Sequence, residues 1–403
     1  YFIDYENAWD FTSNLDDFLH EYIQIMIDKK QLKEAFELLA YLFLKLARQG
    51  VDDSSGGTDL VADRCQEMWK EIIDKSELSL KKEQFKWFIE HVDSPDTDYM
   101  GEYLEEVLLE KFKEEEFHDH KLLYIEKKSQ GYRKEELSRY RRRKLGELAL
   151  RHIEILELKK ISGKEIESYC KDNLELSLIR EYLVDFYLEK KKYDRAIKLL
   201  KEGKKRDADD REVVANYSLK LKDLYKKLGE QDSYRDELWL LVLEYLPGEE
   251  ELFDELKALY TKKEWIKKRE RIFESLSLSS DRARFYAKEG LYERLLACVV
   301  KANGLGLLRS YEKDLKDIYP QELLQKYEDT LEDMASYTTN RKYYQEIVLI
   351  LKRMEAYPGG ETRVNKLVNE WRQKYKNRPA MMDELKKLPF IRLDLIDRFP
   401  GWN

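Results

Sequence analysis

The chain has 403 residues, of which 39% are charged and 42% hydrophobic, and its few Pro (7) and Gly (16) favour long helices over sheets. An aromatic fraction of 12% supplies enough apolar surface to exclude a disordered chain. The formal charge, 74 basic minus 82 acidic residues, is −8, which excludes a global attraction to nucleic acid or to an anionic membrane. No apolar run approaches the roughly 20 residues needed to span a bilayer, so no membrane partner is expected.

The first residue and the cysteines indicate whether the chain is processed and in which redox compartment it resides. The sequence begins with Tyr1 rather than Met and shows no signal peptide, so we expect a fragment or a processed chain. Cys65, Cys170 and Cys298 lie far apart beside apolar residues, a pattern typical of small core side chains. Such cysteines fit a reducing compartment, and the predicted location is cytoplasmic.

The first predicted helices surround a short turn at residues 29–31. Ser13 or Asn14 is predicted to cap the helix before this turn. The helix after it opens at Leu32 and ends at Gly50, which is predicted to be a left-handed C-terminal cap.

Residues 52–58, DDSSGGT, form the most conspicuous polar loop of the sequence. The loop lacks the Gly-Lys-Ser/Thr ending of a P-loop and the regular acidic spacing of an EF-hand. We therefore interpret it as a connector, in which Thr58 or Asp59 caps the next helix, rather than as a phosphate or calcium site.

The histidines give little indication of a metal site. His118 and His120 point to different faces of a helix and have no third ligand nearby in sequence, so we interpret residues 117–120 as a polar turn. His152 falls within an apolar stripe, and the pattern favours a satisfied core histidine.

The strongest basic run is residues 139–144, where Arg residues flank a Tyr. Such a run could grip phosphates and stack on bases. The acidic neighbours Glu135, Glu136 and Glu147 dilute the local positive charge, and a solvated helix face is the other interpretation. The candidate nucleic-acid contacts are Arg139, Arg141, Arg142, Arg143 and Lys144.

Residues 178–245 carry the pattern around which the chain is organised. Apolar residues recur at helical spacing in residues 179–189 and again in 193–201, on either side of a charged turn at 190–192. The pattern returns around Gly229. One such hairpin leaves an apolar face uncovered and needs neighbours stacked on it. The sequence therefore predicts an all-α fold, an α-α superhelix built as an irregular tetratricopeptide-like (TPR-like) solenoid of helical hairpins.

The second helices of these hairpins are expected to open with an aromatic residue. The aromatic residues predicted to be equivalent are Tyr193, Tyr234, Trp265, Tyr292 and Tyr343. Their spacing, from roughly 27 to 51 residues, is too irregular for a consensus repeat array. The predicted organisation is N-terminal hairpins over residues 1–160, TPR-like repeats with a capping helix that starts at Pro379 over 161–388, and an apolar tail over 389–403, which is native or a remnant of cloning.

Three stretches, VNEWRQKYKNRPAMMDEL, AYLFLKLARQGVDDSSGGT and AKEGLYERLLACV, resemble the C-terminal helical region of bacterial SWIM zinc-finger proteins. The resemblance runs from about Asp4 to Leu388, and RPA followed by DEL near its end is the most specific part. In that family, a zinc-binding module with a Cys-x-Cys…Cys-x-His pattern precedes the helical region and is thought to bind DNA or protein. The three cysteines of this chain cannot supply that pattern. The resemblance therefore implies the helical half of such a protein, and no metal or DNA-binding residue carries over.

The leading functional hypothesis is a non-enzymatic protein-interaction scaffold. Stacked hairpins build a long continuous surface, and 28 Tyr residues supply rigid contact groups. The expected partner is a protein or peptide in a solenoid groove, with nucleic acid bound through the absent N-terminal module. The alternative is a nucleic-acid accessory module that uses basic helix faces. Catalysis and a cofactor are not expected, because no nucleophile elbow, phosphate loop or HExxH pair occurs. The sequence leaves the oligomeric state open.

Overall fold

The structure is a computed structural model of the chain and describes residues 2–54, 56–134, 138–277, 279–337 and 340–388. Helices make up nearly all of the regular structure in these residues, which confirms the predicted all-α class. The chain divides into two compact units, Tyr1–Asp209 and Asp210–Asn403. The predicted change of repeat type after residue 160 stays a prediction, and the predicted tail, 389–403, lies outside the described residues.

The first unit consists of successive helices, with a π-helical turn, Leu19–Ile23, between the first two. Its helices are α1 (Tyr5–Phe18), α2 (Gln24–Asp28), α3 (Leu32–Ala47), α4 (Gly57–Lys75), α5 (Leu78–His91), α6 (Gly101–Glu110), α7 (Glu115–Arg133), α8 (Arg139–Leu158), α9 (Gly163–Asp172), α10 (Ser177–Glu189) and α11 (Tyr193–Arg206). Two short strands, β1 (Phe2–Ile3) and β2 (Gly50–Val51), pair in parallel. The sequence analysis did not anticipate these strands.

The second unit repeats this architecture, and a π-helical turn, Leu241–Tyr245, again extends one of its helices. Its helices are α12 (Arg211–Leu228), α13 (Gln231–Leu240), α14 (Glu250–Lys257), α15 (Lys262–Ser275), α16 (Ser279–Lys288), α17 (Tyr292–Lys301), α18 (Gly306–Leu315), α19 (Pro320–Tyr337), α20 (Arg341–Glu355), α21 (Gly360–Lys374) and α22 (Pro379–Leu385). Helix α22 begins with Pro379 and packs against α20, as the sequence predicted for a capping helix.

An aromatic cluster around Trp69 forms the centre of the first unit's core. Trp69 is fully buried in α4, and its ring lies 5.0 Å from that of Phe43 in α3 and 5.3 Å from that of Phe88 in α5. Both contacts are edge-on, the arrangement that aromatic quadrupoles favour. These three rings therefore join α3, α4 and α5 into one layer.

The cysteines behave largely as predicted. Cys65 and Cys170 are buried, and Cys298 is half-buried against the core of the second unit. Burial raises the pKa of all three thiols, and it raises that of Cys170 to about 12. Thiols with raised pKa values are poor nucleophiles, so a packing role is favoured for each.

Five hairpin turns share one backbone motif. At each, a residue just past the first helix has a positive φ, and the next N–H donates to a carbonyl five residues earlier, as in the Schellman motif. In the turn between α10 and α11, for example, Lys191 has φ 54° and Lys192 N donates to Tyr187 O at 2.8 Å. The left-handed residues of the five turns are Lys30, Lys160, Lys191, Gly229 and Gly290.

The predicted equivalence of the opening aromatics is wrong by about one turn. Tyr193 and Tyr292 are the first residues of α11 and α17, whereas Tyr234 and Trp265 are the fourth residues of α13 and α15. The fourth residue is the buried one in each second helix, because it is the first side chain that turns back toward the preceding helix. The residues at this position are Ala35, Ala196, Tyr234, Trp265, Leu295 and Tyr344, and each is at most 3% exposed.

Two of these buried aromatics link successive hairpins of the second unit through a glutamate. Tyr234 Oη donates to Glu255 at 2.7 Å, and Trp265 Nε1 donates to Glu289 at 3.0 Å. A lysine eight residues before each aromatic pairs with the same carboxylate, Lys226 with the first at 2.7 Å and Lys257 with the second at 2.8 Å. The same Lys–aromatic–Glu cluster thus joins two consecutive pairs of hairpins.

Two predictions about helix ends in the first 60 residues are wrong. The N-terminal cap of α1 is Asp4, whose carboxylate accepts the backbone N–H of Asn7 at 3.2 Å, so Ser13 and Asn14 lie inside the helix. Gly50 is part of β2 and is not a left-handed cap.

The connector before α4 is also capped differently from the prediction. Asp53 accepts the backbone N–H of Thr58 at 2.7 Å, and α4 begins at Gly57, so Thr58 and Asp59 lie in its first turn. A Cβ at Gly57 would lie 2.3 Å from Thr12 Oγ1, so glycine is required where α1 and α4 meet.

Candidate functional site

A groove of about 870 Å³ lies between α5 and α7 in the first unit. Its floor is apolar, and its rims carry charged side chains. The residues that line this α5–α7 groove are Lys82, Phe85, Lys86, Ile89, Glu90, Asp93, Ser94, Pro95, Glu116, Phe117, His120, Leu123, Tyr124 and Lys127.

Apolar side chains reach solvent in the middle of the groove. Phe85 and Phe117 are buried beneath it, with ring centroids 4.7 Å apart. Above them, Ile89 of α5 is 37% exposed and Leu123 of α7 is 66% exposed. An exposed apolar patch with a polar rim is typical of a protein interaction surface.

Ion pairs fix the direction in which the two helices run. Lys82 and Glu116, near the starts of α5 and α7, pair at 2.8 Å across the groove. Asp93, just beyond α5, pairs at 3.1 Å with Lys128, in the later half of α7. The two helices therefore run in the same direction on either side of the groove.

A buried hydrogen-bond network holds the later half of α7 in place. Glu105 of α6 accepts from Tyr124 Oη at 2.8 Å and pairs with Lys128 at 2.8 Å. Burial acts to lower the pKa of Lys128, but the carboxylates of Glu105 and Asp93 outweigh burial, and the pKa is raised. Lys128 is therefore charged at physiological pH and pairs with both carboxylates.

An unusual backbone conformation lies beneath the same groove. Phe112, between α6 and α7, has φ 56°, a left-handed value that a bulky residue rarely adopts. Its buried ring contacts Phe85 at 5.3 Å and Phe117 at 5.4 Å, the two rings of the groove floor. Strained backbone of this kind clusters at functional sites, so Phe112 favours this groove as a candidate site.

The predicted basic run opens α8, with Ser138 as its N-terminal cap. Arg143 pairs with Glu147 at 2.9 Å, and Lys144 pairs with Glu102 at 2.9 Å. Arg139 and Arg142 are exposed, and Arg141 is half-buried. The run is thus one helical stretch, of which two cations already face carboxylates. Glu135 and Glu136 lie outside the described residues.

A second groove, of about 770 Å³, lies beside this run between α6 and α8. It is lined by Glu102, Glu105, Glu106, Glu147 and Glu154, with Lys144 and Arg151 as its cations. Tyr140 donates to Glu102 at 2.7 Å, and this hydrogen bond and Lys144 lower the pKa of Glu102. The excess of carboxylates opposes a nucleic-acid backbone at this edge of the run. The five candidate contacts themselves stay a prediction.

The predicted polar turn at residues 117–120 is wrong, since these residues lie in the first turns of α7. His118 is buried, and its Nε2 lies 2.9 Å from Lys113 O. His120 points instead to the α5–α7 groove, with its ring 6.1 Å from that of Phe85. Across the described residues, no group of three or more His, Cys, Asp or Glu side chains is placed to hold a metal ion.

His152 lies in the core side of α8, as the apolar stripe predicted. Its ring stacks on that of Tyr169 at 4.3 Å, with an angle of 7° between the planes. Burial lowers its pKa, so the imidazole is neutral at pH 7.

The sequence analysis missed the residues of the α5–α7 groove, although a signal was present. Residues 122–125, LLYI, are four consecutive apolar residues in α7, and they spread over about 300° of the helix circumference. One core face cannot bury all four, so Leu123 is left outside. In α5, the apolar run WFI at residues 87–89 likewise leaves Ile89 exposed to solvent.

Comparison with known proteins adds no relative: no family model and no curated protein matches the sequence significantly. Within the described residues, none of the helices is long and apolar enough to cross a membrane.

Proposed function

We propose that this chain is a non-enzymatic protein-interaction scaffold that docks a helical segment of a partner protein in the α5–α7 groove. The observation that carries the proposal is the exposed pair Ile89 and Leu123 over the buried aromatic floor. Two helices that run side by side with an apolar channel between them resemble the groove in which an amphipathic helix lies when it binds.

We further propose, on the resemblance of the three sequence stretches, that this region accompanies a SWIM-type zinc-binding module in its parent protein. The three stretches are the support for this placement. Under this proposal, the preceding module binds DNA or zinc, and the helical region docks a protein.

The test is affinity capture from the native host with the wild-type chain and two matched variants. Leu123→Glu places a charge in the groove, and Leu349→Glu places one on α20, at a leucine with the same 66% exposure. Both sites are exposed, so both variants are expected to fold. We expect partners that resist nuclease treatment and that Leu123→Glu loses while Leu349→Glu retains.

Two results would count against the scaffold. If Leu123→Glu retains every partner, the α5–α7 groove is not the docking site. If nuclease treatment releases the partners, the nucleic-acid alternative is favoured, and the capture should then weaken in a variant that neutralises Arg139 and Arg142.

A further inference from the structure

The rims of the α5–α7 groove differ in how their charges are satisfied. Lys82 and Glu116 neutralise each other across one end, and Asp93 is neutralised by Lys128 at the other. Lys86 and Glu90 lie on the same rim at 3.8 Å, a weak exposed pair. Lys127 is exposed on the rim of α7 and has no ion-pair partner among the described residues.

The dipoles of the two helices that form the groove walls also make its two ends electrostatically different. Because α5 and α7 run in the same direction, their helix dipoles add, with the positive ends at Lys82 and Glu116 and the negative ends toward Asp93 and Lys127. A guest helix that lies antiparallel to both wall helices has its dipole antiparallel to theirs, which is the favourable arrangement. Its own N-terminus is then near Ser94 and Lys127.

We infer that the partner segment is an amphipathic helix with an acidic first turn that docks antiparallel to α5 and α7. This inference rests on the proposed function of the groove. Acidic side chains in that turn meet Lys127 and stabilise the guest's own N-terminus, and these two attractions outweigh the repulsion by the negative ends of α5 and α7. The rim from Lys82 to His91 is about 15 Å long, which matches about ten helical residues. Apolar residues at i, i+3 or i+4, and i+7 then contact Leu123 and Ile89.

The test begins with a display library of random peptides of about 16 residues, long enough for the groove and short flanks. Peptides are selected on the full chain and depleted on Leu123→Glu. We expect survivors with an apolar helical stripe and Asp or Glu in their first turn. On a Lys127→Glu chain we expect about tenfold weaker binding of these peptides. Lys134→Glu is the control, because Lys134 is an exposed lysine at the end of the same helix and lies outside the groove lining.

Orientation is measured by disulfide crosslinking in a Cys298→Ser background, which removes the half-buried thiol. Ser94→Cys should capture a selected peptide through a cysteine at the peptide's N-terminus, and Lys82→Cys through one at its C-terminus. The reverse pairing, or survivors without an acidic first turn, would overturn this inference while the groove remains a docking site. If no peptide distinguishes the wild-type chain from Leu123→Glu, the groove does not bind helices, and the proposed function fails with it.

Discussion

Left-handed backbone positions are occupied by different residues in the two compact units. In the first unit, the positive-φ residues include Lys30, Lys160 and Lys191 at hairpin turns, and Phe112 before α7. In the second unit, the equivalent turns use Gly229 and Gly290. Glycine adopts this conformation without steric cost, whereas an L-residue costs about 1–2 kcal/mol there. The first unit therefore carries local backbone strain that the described part of the second unit avoids.

One buried charge from each unit can be compared in the same way. In the first unit, Lys121 is 3% exposed, and its ammonium donates to backbone carbonyls, Leu109 O at 3.0 Å and Lys111 O. These carbonyls end α6, so Lys121 caps the helix in place of a Schellman turn. Burial, with Arg151 nearby, lowers the pKa of Lys121 to about 7.

In the second unit, the corresponding case is Glu312 of α18, which is 7% exposed. Its carboxylate accepts from Tyr327 Oη at 3.0 Å and Tyr357 Oη at 2.5 Å, and it pairs with Arg353. Burial acts to raise the pKa of Glu312, but these donors outweigh burial, and the pKa is lowered.

The two units differ in where they carry energetically unfavourable features, namely left-handed non-glycine residues and a buried charge without a carboxylate partner among the described residues. At these positions, the second unit is locally consistent, with glycine at its turns and side-chain donors around Glu312. In the first unit, Phe112 lies between α6 and α7, and Lys121 of α7 donates to the carbonyls at the end of α6, next to the proposed docking groove. Proteins that depart from local consistency do so mainly at functional sites, and this contrast supports the assignment of function to the first unit.

The largest expected effect is the loss of the buried carboxylate. Glu312→Ala leaves Arg353 and two tyrosine hydroxyls without their acceptor, so we expect the free energy of unfolding to fall by about 3–5 kcal/mol. Urea unfolding at pH 7 measures it. Glu332→Ala, at an exposed glutamate of α19, is the control and should change stability by less than about 0.5 kcal/mol. Since the folded-state pKa of Glu312 is lowered, the difference from wild type should shrink as pH falls through that pKa. A pH-independent difference would contradict the assigned charge.

Removal of the buried ammonium tests the other side of the comparison. Lys121→Met leaves Leu109 O and Lys111 O without a donor, so we expect a loss of about 1–3 kcal/mol at pH 10. The folded-state pKa of Lys121 is lowered to about 7 from an ordinary value of 10.5, so wild type gains stability as pH rises between these values. Below pH 7 the wild type bears the full cost of a buried charge.

The cost of the buried charge falls on the wild type alone, because methionine at position 121 carries no titratable group. We expect the destabilisation by Lys121→Met to diminish or reverse between pH 10 and pH 6. Urea unfolding of both proteins across this range gives the difference directly. Equal differences at both ends would show that Lys121 keeps its ordinary pKa in the folded state.

A smaller effect should follow when one donor to Glu312 is removed and the others remain. Tyr357→Phe deletes a hydroxyl that donates to a charged acceptor, and we expect a loss of about 1.5 kcal/mol in urea unfolding. Tyr343→Phe, at a tyrosine that is 52% exposed, is the matched control and should be nearly neutral. A loss as large as that of Glu312→Ala would mean that the carboxylate depends on Tyr357 alone.

Much of the fold was predictable because it follows from helical periodicity. The apolar stripes and the turn at Gly229 give the hairpins, and Pro379 gives the start of α22. The equivalence of the opening aromatics failed, because Tyr193 and Trp265 both look like helix starters in sequence. Whether an aromatic is the first or the fourth residue depends on the cap before it, and capping is a tertiary as well as a local property.

The candidate site was less predictable, for a physical reason. A groove exists where two helices are held apart, and periodicity states which face of a helix is apolar but not what covers it. Ile89 and Leu123 lie in apolar runs of the sequence, which do not distinguish them from core residues. No helix of the described residues covers them, and only the placement of α5 and α7 reveals this.

The smallest effect tests the turns directly. Lys191→Gly relieves left-handed strain but adds freedom to the unfolded chain, so we expect a net gain of about 0.5 kcal/mol. Gly290→Lys should produce a loss of similar size, since nothing lies within 4 Å of a Cβ at that position and strain alone acts. Thermal unfolding of both variants measures the pair. If Lys191→Gly destabilises the chain instead, its lysine side chain stabilises the turn by more than the strain it imposes. The first unit would then be no less locally consistent at that turn than the second, and the contrast would rest on Phe112 and Lys121 alone.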